Sequence, residues 1–332
     1  MTSMRAWRVT KLGEPRDALS LVEDAAVPEP SPGQLQLRVS HAGVGLPDLL
    51  MCRGSYPLTP ALPFSPGQEV VGTVTAIGEG VDHIVGDRVM AVSAFFLQHG
   101  SFAQTCLALD DFALPVPDAM SGAVAAGFVI PAHTAWVGLV QRGALRAGET
   151  LLVLGASGGT GSVATSLGKA LGARVIATGG GPEKVAFVES LGADVVIDHR
   201  QLDIAEAVRE ATDGRGVDLV YDPVGGDAYD AATRCIAHEG RLLLIGFASG
   251  RWGEPRPPHM VNHNYSVVGV MPSGYDRKFK QDAHAALLEH WSAGRLQIPI
   301  HEVFPFERVP EAIEVLARGG ARGKVVVEIA PA

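Results

Sequence analysis

The stretch TLLVLGASGGTGSVATSLGKALGA, residues 150–173, does most to limit the fold. Its first six residues form an apolar run that suits a strand buried on both faces, and SVATSLGKALGA carries a helical pattern. A strand that enters a glycine turn and leaves as a helix builds a parallel sheet with crossovers. In the turn, Gly155, Gly158 and Gly161 are spaced G-x-x-G-x-x-G, with Gly159 and Thr160 between them. Without Cβ atoms the turn tightens and its backbone approaches a pyrophosphate, whose charge is met by N–H groups at the helix start. Glycine turns are common punctuation. The order strand, turn, helix and next strand makes this one a dinucleotide-binding candidate.

The rhythm continues with RVIAT, the helical segment PEKVAFVESLGA, VVIDH, the helix QLDIAEAVREATDG, VDLVYDPV, a helix across DAYDAATRCIA, RLLLIGF and SVVGVM. Six strands with crossovers match a complete dinucleotide-binding sheet. Before residue 125 the pattern is different: LQLRVS, EVVGTVTAI, GDRVMAVSA and AQTCLAL are short strands broken by Gly, Pro and Asp turns. Strand patterns return after a long helix from about Asp276 to Gly294, with PIHEVFPF, a short helix at PEAIEVLARGG and KVVVEI. The expected architecture is α/β: a β domain formed by both chain ends, residues 1–125 and 296–332, with an inserted Rossmann domain, residues 126–295, on a six-stranded parallel sheet. A cleft between two such domains is the expected active site.

The end of the second strand of this sheet discriminates between nicotinamide cofactors. An NAD site usually carries Asp or Glu there, but here the strand runs into Thr178, Gly179, Gly180 and Gly181, followed by Lys184. A glycine bend with a nearby Lys admits a 2′-phosphate that a carboxylate would repel, so NADPH is expected over NADH. A solvated helix residue is the other reading of Lys184, with the phosphate role preferred. His199, at the end of the third strand, stands either beside the adenosine end or as a surface histidine.

Composition removes several function classes. The formal net charge is −9, with no run of Lys and Arg to track phosphates, so neither nucleic acid nor an anionic membrane is an expected partner. The opening MTSMRAWRVT has no apolar stretch of signal-peptide length, and no window reaches the roughly 18 apolar residues of a membrane span. A cytoplasmic protein is expected. Cys52, Cys106 and Cys235 are odd in number and widely spaced, which fits reduced, packed thiols and neither a disulfide framework nor a four-thiolate zinc lobe. His259 and His263 in HMVNH would share a face if helical, but they follow PRPP and are expected in a solvated loop.

The order of AGVGLPDLLMCRGSYP, PGQEVVGTVTAIGEGVDHIVGDRV, IPAHTAW, GASGGTG, LGADVVIDHR, VDLVYDPVGG, GRLLLIGFASG and GKVVV, spread over nearly the whole chain, resembles the medium-chain dehydrogenase/reductase superfamily. Within it the chain resembles the zinc-independent, zeta-crystallin-like quinone oxidoreductases. The resemblance implies that the terminal β domain is GroES-like, that the protein is a homodimer, and that hydride passes from NADPH to a quinone or an α,β-unsaturated carbonyl. Zinc-bearing members carry a histidine ligand at the step occupied here by Gln68 and a cysteine at the slot of Gly45, so no metal is expected. Glu69 is then a structural carboxylate bonded to backbone or an Arg.

The same resemblance matches Tyr56 to the proton-donating tyrosine of enoyl-thioester reductases, with an aromatic lining the cleft mouth as the other reading. It matches Asp48 to an acidic residue that orients its loop, and Thr134 to a nicotinamide-side threonine. Gly246, Phe247 and Ala248 correspond to backbone that runs past the nicotinamide, and Lys324 falls near the cofactor in relatives or serves as a strand-edge charge. Quinone reductases commonly carry Asn at the slot of Gly45, which widens the pocket here. An enoyl-thioester reductase and a non-catalytic NADPH-binding protein are the alternatives. None of the five tyrosines begins a Y-x-x-x-K pair, which disfavours a short-chain dehydrogenase.

Overall fold

Alternating side chains in segments such as EVVGTVTAI and RVMAVS give strands with one buried face, and the continuous apolar runs of the middle region give strands buried on both. A computed structural model describes residues 3–330. In chain order its strands are β1 (Ser3–Val9), β2 (Leu19–Ala26), β3 (Gln34–Val44), β4 (Glu69–Ile77), β5 (Arg88–Ser93) and β6 (Thr105–Pro115). Next come β7 (Thr150–Val153), β8 (Arg174–Gly179), β9 (Val195–Asp198), β10 (Val217–Asp222), β11 (Ile236–Leu244) and β12 (Ser266–Gly269), and finally β13 (Ile300–Pro305) and β14 (Lys324–Glu328). The chain forms two units. One contains the residues up to 130, 276–281 and those from 299 onward; the other contains 131–275 and 282–298.

The first unit is built on a sheet of order β13-β14-β3-β4-β5-β6, in which β3 also pairs with β6 and so closes β3 to β6 into a ring. Leu35, Leu37, Val39, Val70, Val74, Val89, Phe64 and Phe102 fill its core. Each such side chain contributes about 1.5–3 kcal/mol by leaving water. β14, from the end of the chain, pairs antiparallel with β3 at Val325↔Val44, while Gly43 of β3 pairs with Glu69 of β4. This places Lys324 near Glu69. A separate antiparallel hairpin, β1 with β2, was not part of the sequence reading.

The second unit has a six-stranded sheet of order β12-β11-β10-β7-β8-β9, parallel at every pairing. The expected Rossmann sheet is therefore present. Helices Gly159–Ala170, Pro182–Ser190, Ile204–Ala211 and Gly226–Thr233 alternate with its strands. The strand order reverses between the adjacent β7 and β10, and ligands of such sheets bind outside the carboxyl ends of the strands at this point.

One expectation is corrected. His259 and His263 lie on a helix, Pro257–His263, and not in a loop. Proline is well tolerated in a first helical turn, where its missing N–H would have no partner in any case, so the prolines before HMVNH open this helix. The two rings stack with centroids 4.1 Å apart, and His259 Nδ1 lies 3.1 Å from the Tyr265 hydroxyl.

Candidate functional site

The candidate nucleotide-binding residues gather at the carboxyl ends of the parallel strands. The helix Gly159–Ala170 begins directly after the turn, with Gly158 as its N-cap. Its first turn presents N–H groups that have no intrahelical acceptor. At Gly161 a Cβ would lie 2.4 Å from the Gly155 carbonyl oxygen, so only glycine allows the turn to close this tightly. Thr178 secures the turn from the next strand: its hydroxyl accepts the Gly155 N–H at 2.9 Å and its carbonyl accepts the Ala156 N–H at 3.1 Å. Thr178 is thus committed to holding the turn.

Gly180 and Gly181 follow β8, and Lys184 lies in the first turn of the helix that they introduce. A Cβ at Gly180 would stand 2.8 Å from His199 Nε2 and 3.2 Å from Arg200 Nε, and one at Gly181 would stand 3.1 Å from the Arg200 guanidinium. The bare glycines therefore let an imidazole and a guanidinium close on the bend. Asp198 Oδ1 accepts from Gly181 N and Arg200 N, both at 3.0 Å, and these backbone bonds hold its carboxyl below the usual range. Its charge is occupied with shaping the loop. Arg200 and Asp198 were not picked out from the sequence. The signal was present in DHR, where an Arg follows His199 at a strand end.

Gly246, Phe247 and Ala248 leave β11 and are fastened to the end of β10. Gly246 N donates to the Asp222 carbonyl at 3.2 Å and Ala248 N to the Pro223 carbonyl at 3.0 Å, while the Phe247 ring packs on Trp252. Asp222 is fully buried; burial pushes its carboxyl up to about 6 although Oδ1 accepts from Val224 N and Gly225 N. Thr134 is buried in the helix Val129–Trp136. The turn, the bend and its cations fit a dinucleotide with an additional phosphate on the adenosine ribose.

In the other unit, Asp48 sits in the helix Leu46–Cys52 and is completely buried. Its Oδ2 accepts from Gly45 N at 2.8 Å and Oδ1 from Gly67 N at 2.9 Å, so one carboxyl ties two loops together. Burial raises its pKa to about 7, against the opposing pull of those two N–H groups and of Lys324. Glu69 accepts the Ile130 N–H at 3.0 Å and pairs with Lys324, which also donates to the Val44 carbonyl at 3.2 Å. Both partners are nearly inaccessible. Glu69 is thus a structural carboxylate held by backbone and by Lys324, where an Arg was the expected cation. Tyr56 is half-buried: burial raises the pKa of its phenol, and the adjacent Gln68 amide draws it part of the way back. At neutral pH this tyrosine carries its proton.

No group of three or more His, Cys, Asp or Glu side chains is arranged to hold a metal among the described residues. The donor set around Gly45 and Gln68 does not fit a zinc ion.

Residues 31–137 match the family described as the alcohol dehydrogenase GroES-like domain, and residues 191–327 match the family described as zinc-binding dehydrogenase. A quinone oxidoreductase-like protein 2 homolog of Nematostella vectensis is 32% identical over 332 residues, covering 98% of this chain and 89% of that one. The quinone oxidoreductase of Homo sapiens is 31% identical over 327 residues, covering 98% and 97%. A mycobacterial protein solved in complex with NADPH superposes with a TM-score of 0.91 at 30% identity, covering 98% of this chain and 100% of that one. Kinship of this extent, carried through both the β unit and the parallel sheet, makes the chain a member of the quinone oxidoreductase-like family of the medium-chain dehydrogenase/reductase superfamily.

Proposed function

We propose that this protein is an NADPH-dependent reductase that delivers hydride to a quinone or an α,β-unsaturated carbonyl without zinc. The carrying observation is the glycine bend after β8, closed by His199 and Arg200 next to Lys184, which suits the 2′-phosphate of NADPH. The NADPH complex of the mycobacterial neighbour and the names of the curated relatives support the same reading.

In this reading Gly155, Gly158, Gly159, Thr160 and Gly161 take the pyrophosphate. Gly180, Lys184, His199 and Arg200 take the 2′-phosphate, and Gly246 to Ala248 with Thr134 flank the nicotinamide. Bound NADPH supplies a hydride. The acceptor takes it at carbon, its π pair moves onto the carbonyl oxygen, and Tyr56 protonates the resulting enolate, which in the case of a quinone then tautomerises to the hydroquinone. Asp48 orients the loops of Gly45 and Gly67 behind that phenol. Lys324 braces Glu69 and has no direct part.

The test is chelator-treated protein with NADPH or NADH and a panel of benzoquinone, phenanthrenequinone, a simple enone and crotonyl-CoA, followed by loss of reduced-nicotinamide absorbance. Chelator-resistant turnover that prefers NADPH is the expected result. Activity that requires added zinc would overturn the assignment of Gln68 and Gly45. The protonated Tyr56 favours a second reading, enoyl-thioester reduction, for which crotonyl-CoA would be the best acceptor of the panel. NADPH binding without turnover of any acceptor would point to a binding protein.

A further inference from the structure

Asp222 ends β10 beside β7, where the strand order reverses, and is inaccessible to solvent. Its Oδ1 accepts from Val224 N and Gly225 N, both at 2.8 Å, and so shapes the loop after β10. Val224 of that loop lies against the glycine turn: a Cβ on Gly155 would stand 2.8 Å from Val224 Cγ2. The Asp222 carbonyl accepts from Ile245 N at 3.0 Å and Gly246 N at 3.2 Å. Ala248 N and Ser249 N bond to the Pro223 and Val224 carbonyls at 3.0 and 2.9 Å. Within this one unit, Asp222 is thus tied by short links to both the glycine turn and the segment after β11.

None of these bonds needs a charge. An asparagine would accept the same two N–H groups through its own Oδ1 and is well suited to such a turn. A carboxyl here is costly instead: Oδ2 is buried without a hydrogen-bond partner, and no Lys, Arg or His is paired with it among the described residues. With its pKa pushed up by burial to about 6, most of the group is still ionised at neutral pH. A buried charge kept without a cation destabilises a fold, and such groups cluster at functional sites. The charge also acts on a group to which it is not bonded. The buried Tyr229 phenol, raised first by burial and then by Tyr265, is raised further by Asp222.

We propose that Asp222 is the counter-charge of the reaction: its carboxylate, bonded through its own backbone to Gly246, stabilises the positive nicotinamide ring that remains when hydride leaves NADPH. This rests on the reductase reading above, in which Gly246 to Ala248 flank the nicotinamide. Charges and electrons balance: hydride carries two electrons to the acceptor carbon, the acceptor oxygen takes a proton from Tyr56, and the nicotinamide is left with one positive charge. Asp222 exchanges no proton and forms no bond to the cofactor. It acts through space, in an interior where unit charges interact more strongly than in water. A carboxylate that favours the oxidised ring must, by the same factor, tighten NADP+ relative to NADPH.

The test compares wild type with Asp222→Asn, which keeps the Oδ1 acceptor and removes the charge. Dissociation constants of NADP+, NADPH and 2′,5′-ADP are measured by calorimetry, and turnover of a quinone or enone is followed beside them. The asparagine variant should bind NADP+ about tenfold more weakly relative to NADPH, and turnover should fall. Affinity for 2′,5′-ADP, which has no nicotinamide, should stay at the wild-type value. A purely structural role would weaken NADP+ and NADPH by one common factor. An unchanged ratio of the two constants, whatever their size, would overturn the proposal.

If wild type reduces no acceptor, the reductase reading fails. A ratio that depends on Asp222 would still sustain the counter-charge, and a ratio indifferent to it would overturn it. A wild type that binds neither cofactor would overturn both. Should Asp222→Asn melt out, Asp222→Ser offers the same turn a shorter neutral acceptor, and the ratio of its two constants decides in the same way.

Discussion

Two buried carboxylates in the β unit perform different work, and each carries a test at the scale of single residues. Glu69 and Lys324 neutralise each other, and each has one further backbone bond. Lys324→Met should therefore destabilise the protein by about 3–5 kcal/mol, because it leaves Glu69 charged and unpaired by any cation. Adding Glu69→Gln should restore much of the loss, a non-additivity that urea unfolding of the single and double variants would measure. Asp48 titrates with the opposite consequence from a salt-bridged acid. Its folded pKa, about 7, lies above that of a free aspartate, about 3.9, so between those values the folded state keeps a proton that the unfolded chain has lost. Stability contributed by Asp48 must then fall as pH rises through that window, by about 1.4 kcal/mol for each tenfold difference in proton affinity. Melting temperatures at about pH 5 and about pH 8 should show this decline in wild type, and Asp48→Asn should lack it.

At the scale of elements, the proposed function divides cofactor recognition between the turn after β7 and the bend after β8. Gly161→Ala would force a Cβ to within 2.4 Å of the Gly155 carbonyl, so the turn must open, and affinity for NADPH and NADH should fall together. Arg200→Ala should weaken NADPH alone: one charge-assisted bond is worth about 1.5–3 kcal/mol, or roughly 10- to 100-fold in Kd. Fluorescence titration of both cofactors separates the two outcomes. These elements were legible to different degrees. The glycine turn was plain because its spacing is local and it follows an apolar strand. Arg200 was not, because β9 must lie beside β8 before residue 200 reaches residues 180 and 181. The helix carrying His259 and His263 was missed because the prolines that precede it were taken as breakers, whereas at a first turn they start a helix.

For the molecule as a whole, the sheet order ends at β12, a short strand with exposed Ser266 at its head, and we propose that this edge joins a second copy of the chain. Light scattering should give the mass of two chains, and Ser266→Lys, which places a charge on the strand edge, should shift it toward one without loss of fold. Among the described residues no helix is long and apolar enough to cross a membrane. The sequence by itself determined the parallel sheet, the glycine turn after β7 and the absence of a carboxylate at the end of β8, while the family resemblance marked Gly45 and Gln68 as the slots where zinc-bearing members carry ligands. The first three follow from residue types at short spacing, where periodicity and backbone freedom act directly. Tertiary structure alone decided that Lys324 reaches across 255 residues to Glu69 and that Asp48 binds two loops. Such facts depend on which strands lie side by side, and local sequence carries no record of which distant groups a closed sheet will bring within hydrogen-bonding distance.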